Sequence, residues 1–398
     1  MNVRRWIAIT AAVGVGLAIS GCGSSSGDST ASGGDCAQSV KLGLLATLSG
    51  PGAALGELTK NGAELAVSQA NEAGDVCIDL VVKDDAGDPT KASQATRELV
   101  DQEEVDAVAG PLLTGPTGAA LPITTPAKIV SIVTSSAKFA GDPTEFPYTF
   151  QVTSQSGTLA DAYVAYMKDH GLTKAAALVV NNEFGTDLLS EFKRASEGTD
   201  IELVSEETFV SGSVDAAPQV SKMKASGADT FLNMLAVDPD HIAAIKARNS
   251  LDWDVPMLGV QSIANASIPQ AVGADGMAKV YAVGYRNLAS DGTAGVPSSP
   301  LAATFKTDYM KATGAKTLDG SFYMAASTYD AVNLLVAAYK ETGETDSDAV
   351  KDYLASATYD GVAASYEFSS DNHNGITVED LTFVDAGAGT DGIMPIAG

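Results

Sequence analysis

The 398-residue sequence is short of positive charge, histidine, cysteine and aromatic side chains. Only 24 Lys and Arg stand against 50 Asp and Glu, a formal net charge of −26. Nucleic-acid binding needs cations to displace the counterions of phosphate, so this balance excludes it. A folded surface that clings to anionic lipid is excluded on the same ground. The three His (His170, His241 and His373) are far apart, are expected on helix ends or loops, and lack metal-ligand spacing, so no metal is expected. No Gly-x-Ser-x-Gly elbow stands between a strand-like and a helix-like run, and there is no Gly-x-x-x-x-Gly-Lys phosphate loop. After the first strand-like run comes the turn Ser49-Gly50-Pro51-Gly52 instead of a dinucleotide fingerprint. Asp371-Asn372-His373-Asn374-Gly375 lacks the closing Glu of a calcium loop and reads as a hairpin turn. With no nucleophile–base pair and no cofactor motif, neither an enzyme nor a cofactor is expected.

One segment is apolar enough for a membrane, and it is the first. Arg4 and Arg5 precede an apolar run over 7–19, the pattern of a secretory signal, and 13 residues are too few to span a bilayer. Ile19-Ser20-Gly21-Cys22 resembles a bacterial lipobox, which implies cleavage before Cys22 and acylation of that Cys; an ordinary signal cut with Cys22 incidental is the other reading. Residues 23–34 are almost all Gly, Ser, Thr and Asp and read as a flexible tether. Removing residues 1–21 takes away two Arg and no acid, so the mature charge is 22 − 50 = −28. Cys36 and Cys77 each precede an apolar run. If those runs are neighbouring parallel strands, the two lie at one sheet end and can form a disulfide; otherwise they are two small core residues.

From residue 40 onward strand-like runs alternate with amphipathic helical stretches, the signature of an α/β fold with mostly parallel sheets and helices on both faces. A second such unit starts after the run 148–152. Asp84, Asp85 and Asp88 read as a solvated turn and a helix N-cap before Pro89. Long helices follow at 301–313 and 322–341, a shorter one at 348–357, and strands at 365–368 and 377–384. The expected organisation is a signal over 1–21 and a lipidated Cys with its tether over 22–36. One lobe takes 37–151 plus 285–357, the other 152–284 plus 358–398.

Four pieces coincide in order and spacing. Leu48-Ser49-Gly50-Pro51 follows the first strand, and Asn61-Gly62-Ala63-Glu64-Leu65-Ala66 lies on the first helix. Asp84-Asp85-Ala86-Gly87-Asp88-Pro89 follows the second strand and Ala109-Gly110-Pro111 the third. Together they resemble the substrate-binding proteins of branched-chain amino-acid ABC importers, the leucine/isoleucine/valine-binding family, in its lipoprotein form. Asn182-Glu183-Phe184-Gly185, Pro256-Met257-Leu258-Gly259 and Ser327-Thr328-Tyr329-Asp330-Ala331 extend the resemblance over about 40–384.

The resemblance implies a type I periplasmic-binding-protein fold, two lobes joined by three crossovers that close over a ligand by hinge motion. It implies a monomer without catalysis that captures an amino acid or related small carboxylate outside the membrane. Its partner would be an ABC permease, and its only membrane contact the lipid on Cys22. A sensor of the same fold, or a binder of a non-amino-acid acid or amide, are the alternatives.

The resemblance places Thr114 and Ser135 on the ligand carboxylate, with the Val133 carbonyl accepting from an ammonium. Hydroxyls that merely cap turns are the alternative for Thr114 and Ser135. Leu55, Phe184, Val237 and Met324 fall at pocket-wall positions, Leu55 and Phe184 where the family has aromatics. One departure stands out: Gln261 occupies the place of the carboxylate that pairs with a ligand ammonium, with Glu183 and Asp238 as acids nearby in the reading. An amide gives no charge-assisted pair. A small apolar acid without an ammonium therefore competes with an α-amino acid.

Overall fold

The computed structural model describes residues 36–398; Cys22, the signal and most of the tether lie outside the described residues. Cys36–Gly398 forms one compact unit built on two sheets. The first has the order β2-β1-β3-β4-β5, from β1 (Gln38–Ala46), β2 (Val76–Asp84), β3 (Ala107–Ala109), β4 (Val130–Val133) and β5 (Thr149–Gln151), all parallel. Between them run α1 (Ala53–Ala73), α2 (Pro89–Arg97) and α3 (Thr114–Thr124). β1 shows why: Val40, Leu42, Leu44, Leu45 and Ala46 are buried regardless of which face they point to, as in a strand covered on both sides.

After α4 (Ser156–Asp169) come β6 (Lys174–Val180), α5 (Glu183–Ser196), β7 (Glu202–Phe209), α6 (Ala217–Ala225) and β8 (Thr230–Met234). Then follow α7 (Asp238–Ser250), β9 (Met257–Gly259), α8 (Ser267–Val272) and β10 (Val280–Tyr285). The chain returns to the first sheet with α9 (Pro300–Thr313), α10 (Tyr323–Thr342), α11 (Ser347–Leu354) and the hairpin β11 (Thr358–Asp360) and β12 (Ser365–Glu367). It ends with β13 (Leu381–Asp385), the antiparallel edge of the second sheet, whose order is β13-β10-β9-β8-β6-β7. The chain thus passes between the sheets three times.

Two glycines permit close approaches that position the cleft. A Cβ on Gly62 of α1 would lie 2.1 Å from the carbonyl oxygen of Ala325, so only glycine lets α1 cross α10 here. Gly110, just past β3, has φ +90°, and its Cβ would meet the Leu45 carbonyl oxygen at 2.2 Å. Cys36 and Cys77 form a disulfide at the N-terminal ends of β1 and β2. Asp88 caps α2 by accepting from the Lys91 amide, with Pro89 in the first turn.

Four readings of the sequence need correction. Asp85 is buried rather than solvated, because it accepts from the Thr47 hydroxyl at 2.6 Å and the Gly87 amide at 2.8 Å, tying the ends of β1 and β2. Residues 358–376 pack on the first sheet, not the second. Phe368 meets Phe150 edge-on at 5.2 Å, His373 stacks on Phe150 at 4.1 Å, and Asn374 pairs with Gln151. Asp330 of α10 draws the same segment in by accepting from the Val362 and Ala363 amides and the Tyr366 hydroxyl. Asp371–Gly375 is not the turn of a hairpin: Ser369 and Asn372 exchange backbone bonds, and the chain then runs along β5 instead of back along β12. The last strand starts only at Leu381, because Thr377 and Asp380 form a capping box around a helical turn.

Candidate ligand-binding cleft

In both sheets the chain order reverses beside the first strand of the unit, between β1 and β3 and between β6 and β8. Ligands of open α/β sheets bind in the crevice beyond the strand ends at such switch points. A cavity of about 280 Å³ lies there. Pro51 and Gly52 after β1, Leu113 and Thr114 after β3, and Thr134 and Ser136 after β4 line one side. Asn182 to Phe184 after β6, Val237 after β8 and Gln261 after β9 line the other, and Tyr285, Tyr323 and Met324 complete the wall.

Six sequence-designated residues line this cavity: Leu55, Thr114, Phe184, Val237, Gln261 and Met324. Val133 and Ser135 do not. The Val133 carbonyl accepts from the Val152 amide. The Ser135 hydroxyl is turned inward to Thr117 at 2.8 Å, and its carbonyl takes Gln151 and Thr153. Side chains alternate in extended chain, so a slip of one residue exchanges the faces. Thr134 and Ser136 hold the cavity positions in their place. That alternation, applied from buried Ile132, was the signal available in the sequence. Tyr285 and Tyr323 were also missed; each is an aromatic at the edge of an element, indistinguishable by pattern from core.

At the α3 end the Thr114 and Gly115 amides have no acceptor among the described residues, because they open the helix and Leu113 supplies no side-chain cap. Free amides and the helix dipole favour an anion there. No Lys or Arg among the described residues lines the cavity. The acid in its lining is Glu183, exposed at the rim, where burial and then Asp187 raise its pKa. Asp238 is absent from the lining: it accepts from Asn265 at 2.8 Å and from the Ser267 hydroxyl.

Gln261 is buried, and its Nε2 donates to Ser154 Oγ at 2.8 Å. Its neighbour Ser262 bonds His241 at 2.8 Å. Burial holds the His241 pKa down to about 3, so the ring is neutral, with Nδ1 against Asn233 Oδ1 and Nε2 against Ser262 Oγ. His241 lies in the first turn of α7, a helix end, and it holds a cavity-lining serine. No cluster of His, Cys, Asp or Glu able to hold a metal occurs among the described residues.

The family described as "Periplasmic binding protein" matches residues 39–391. The chain belongs to the periplasmic binding protein family. Among curated relatives of this binding protein is the leucine-, isoleucine-, valine-, threonine- and alanine-binding protein of Pseudomonas aeruginosa. It is 24% identical over 333 residues, covering 81% of this chain and 84% of the relative. Among solved structures, the Streptococcus pneumoniae branched-chain amino acid transporter substrate-binding protein, in complex with isoleucine, superposes with a TM-score of 0.77. Its identity is 24%, with coverage of 90% and 99%. A solute-binding protein of an ABC transporter from Rhodopseudomonas palustris, in complex with benzoate, gives a TM-score of 0.77 at 20% identity and coverage of 90% and 96%.

The fold is therefore the type I periplasmic-binding-protein fold, and the resemblance to Leu/Ile/Val-binding proteins stands. It is the fold of a solute-binding receptor rather than an enzyme. No described helix is long and apolar enough to cross a membrane.

Proposed function

We propose that this binding protein captures a small carboxylate in the cleft between its two lobes and delivers it to an ABC importer. In this reading the protein sits outside the cytoplasmic membrane as a monomer, held by a lipid on Cys22. The observation that carries the reading is the cavity itself, with free α3 amides and the Ser136 hydroxyl at one end and apolar walls beyond. Amides and hydroxyls bind a carboxylate without Lys or Arg. The volume of about 280 Å³ suits a ligand of amino-acid or small-aromatic size. Relatives of the fold bind ligands of both kinds.

A thermal-shift screen of amino acids, small organic acids and amides tests this. A ligand at 100 times its Kd stabilises the native state by about 2.7 kcal/mol, a clear rise in Tm. Stabilisation by carboxylates is expected; stabilisation only by solutes without one would sink the reading. Membrane fractionation of Cys22→Ala tests the anchor: the variant is expected in the soluble fraction.

A further inference from the structure

Away from the α3 amides, two more lining side chains keep a polar atom without a partner among the described residues. Tyr323, the first residue of α10, is 7% exposed, and its hydroxyl bonds no described residue. Gln261 spends one amide atom on Ser154 and leaves the other free. Both residues also line a smaller void of about 20 Å³, so they share one end of the cleft. Among the described residues no carboxylate lines that end: Asp238 acts on Tyr323 from behind the wall with its oxygens turned to Asn265 and Ser267, and Glu183 is at the exposed rim.

A ligand ammonium placed here would be desolvated with no carboxylate in direct contact, since the nearby Asp238 already accepts from Asn265 and Ser267, and that costs several times a neutral hydrogen bond. A ligand hydroxyl meets complementary partners, accepting from the Tyr323 O–H and donating to the Gln261 carbonyl oxygen. The geometry points to a neutral subsite formed by Tyr323 and Gln261 that selects a small carboxylate bearing a hydroxyl in place of an ammonium. The ligand class is thus a hydroxy acid with an apolar body. This rests on the solute-binding reading above and specifies its ligand.

Calorimetry with matched sets tests it. One set is leucine, 2-hydroxy-4-methylpentanoate and 4-methylpentanoate; another is phenylalanine, 3-phenyllactate, 4-hydroxybenzoate and benzoate. In at least one set the hydroxy acid is expected to bind at least tenfold tighter than its amino or unsubstituted counterpart. Tyr323→Phe is expected to weaken the hydroxy acid about tenfold and leave the unsubstituted acid within twofold. The free hydroxyl makes no internal bond, so this variant is expected to keep the ligand-free Tm. Gln261→Glu is expected to shift preference toward the amino acid. Amino or unsubstituted acids binding as tightly as the hydroxy acids in every set overturns the subsite, as does an equal loss for all acids in Tyr323→Phe. Binding by no carboxylate at all overturns the solute reading, and the subsite with it.

Discussion

Lys138→Ala is expected to weaken binding of every ligand by about fivefold, although Lys138 does not line the cavity. Lys138 opens a helical turn (Lys138–Gly141) between β4 and β5 of the first sheet. Its Nζ lies 2.6 Å from Glu191 Oε1 on α5 of the second sheet, so the pair bridges the cleft. Arg194 approaches the other Glu191 oxygen at 2.5 Å and also reaches Asp161 at 2.9 Å. Burial pushes the Glu191 carboxyl up, but the bonds from Lys138 and Arg194 outweigh it and leave the pKa lowered. The Lys138 side chain is 59% exposed against 9% for Glu191, so solvent screens much of the Coulomb energy. About 1 kcal/mol remains, the upper end for an exposed pair. If closure must form this pair, that amount comes off the closed state and appears as about a fivefold rise in Kd. At 1 M salt the Debye length falls to about 3 Å and the difference between variant and wild type is expected to shrink. Calorimetry at low and high salt reads both. An unchanged Kd at low salt, or a loss that depends on which ligand is bound, would refute the reasoning.

Four further outcomes follow from the same structure. Ser136→Ala is expected to weaken carboxylate binding about fivefold. Ser135→Ala is expected to leave Kd within twofold and cost about 1 kcal/mol of stability through the lost Thr117 bond, measured by calorimetry and urea unfolding. Burial lifts the Asp330 carboxyl to about 7, above its unfolded value, so its contribution to stability falls as pH rises from about 4 to 7. The unfolding free energy of wild type relative to Asp330→Asn is expected to drop by about 2–3 kcal/mol between pH 5 and pH 8, and a rise would contradict this sign. Reducing Cys36–Cys77, which are 41 residues apart, is expected to cost about 3–4 kcal/mol by freeing the unfolded chain; an unchanged urea midpoint would count against it.

Much of the fold was legible because strand and helix leave different periods in the sequence. Pro89 behind Asp88 announced α2, and the turn motifs after β1, β2 and β3 marked the ends where a ligand site forms. Six of the eight residues that the resemblance designated line the cavity, because they sit just after strands or at the start of a helix. Ser135 and Val133 were not, because strand β4 ends at Val133 and a motif match carries an uncertainty of one residue, which in extended chain is a whole face. The segment 358–376 was misassigned because its attachment rests on Asp330 and Phe150, more than 28 residues away, and no local pattern encodes such a contact.

By itself the sequence determined the α/β alternation, the export signal pattern and the absence of phosphate-binding charge, which are properties of composition and local spacing that a linear chain displays directly. The loss of a carboxylate at Gln261 was implied by the family resemblance. Only the tertiary structure decided which polar groups keep a free hydrogen bond for a ligand. Glu183, Asp238, Ser135 and Tyr323 are equally plausible in sequence. Packing spends Asp238 on Asn265 and Ser267, Ser135 on Thr117, leaves Glu183 at the rim, and aims an unpartnered Tyr323 into the cavity. Chemistry at a binding site belongs to the groups the fold has not already satisfied, and that remainder exists only once every other contact is made.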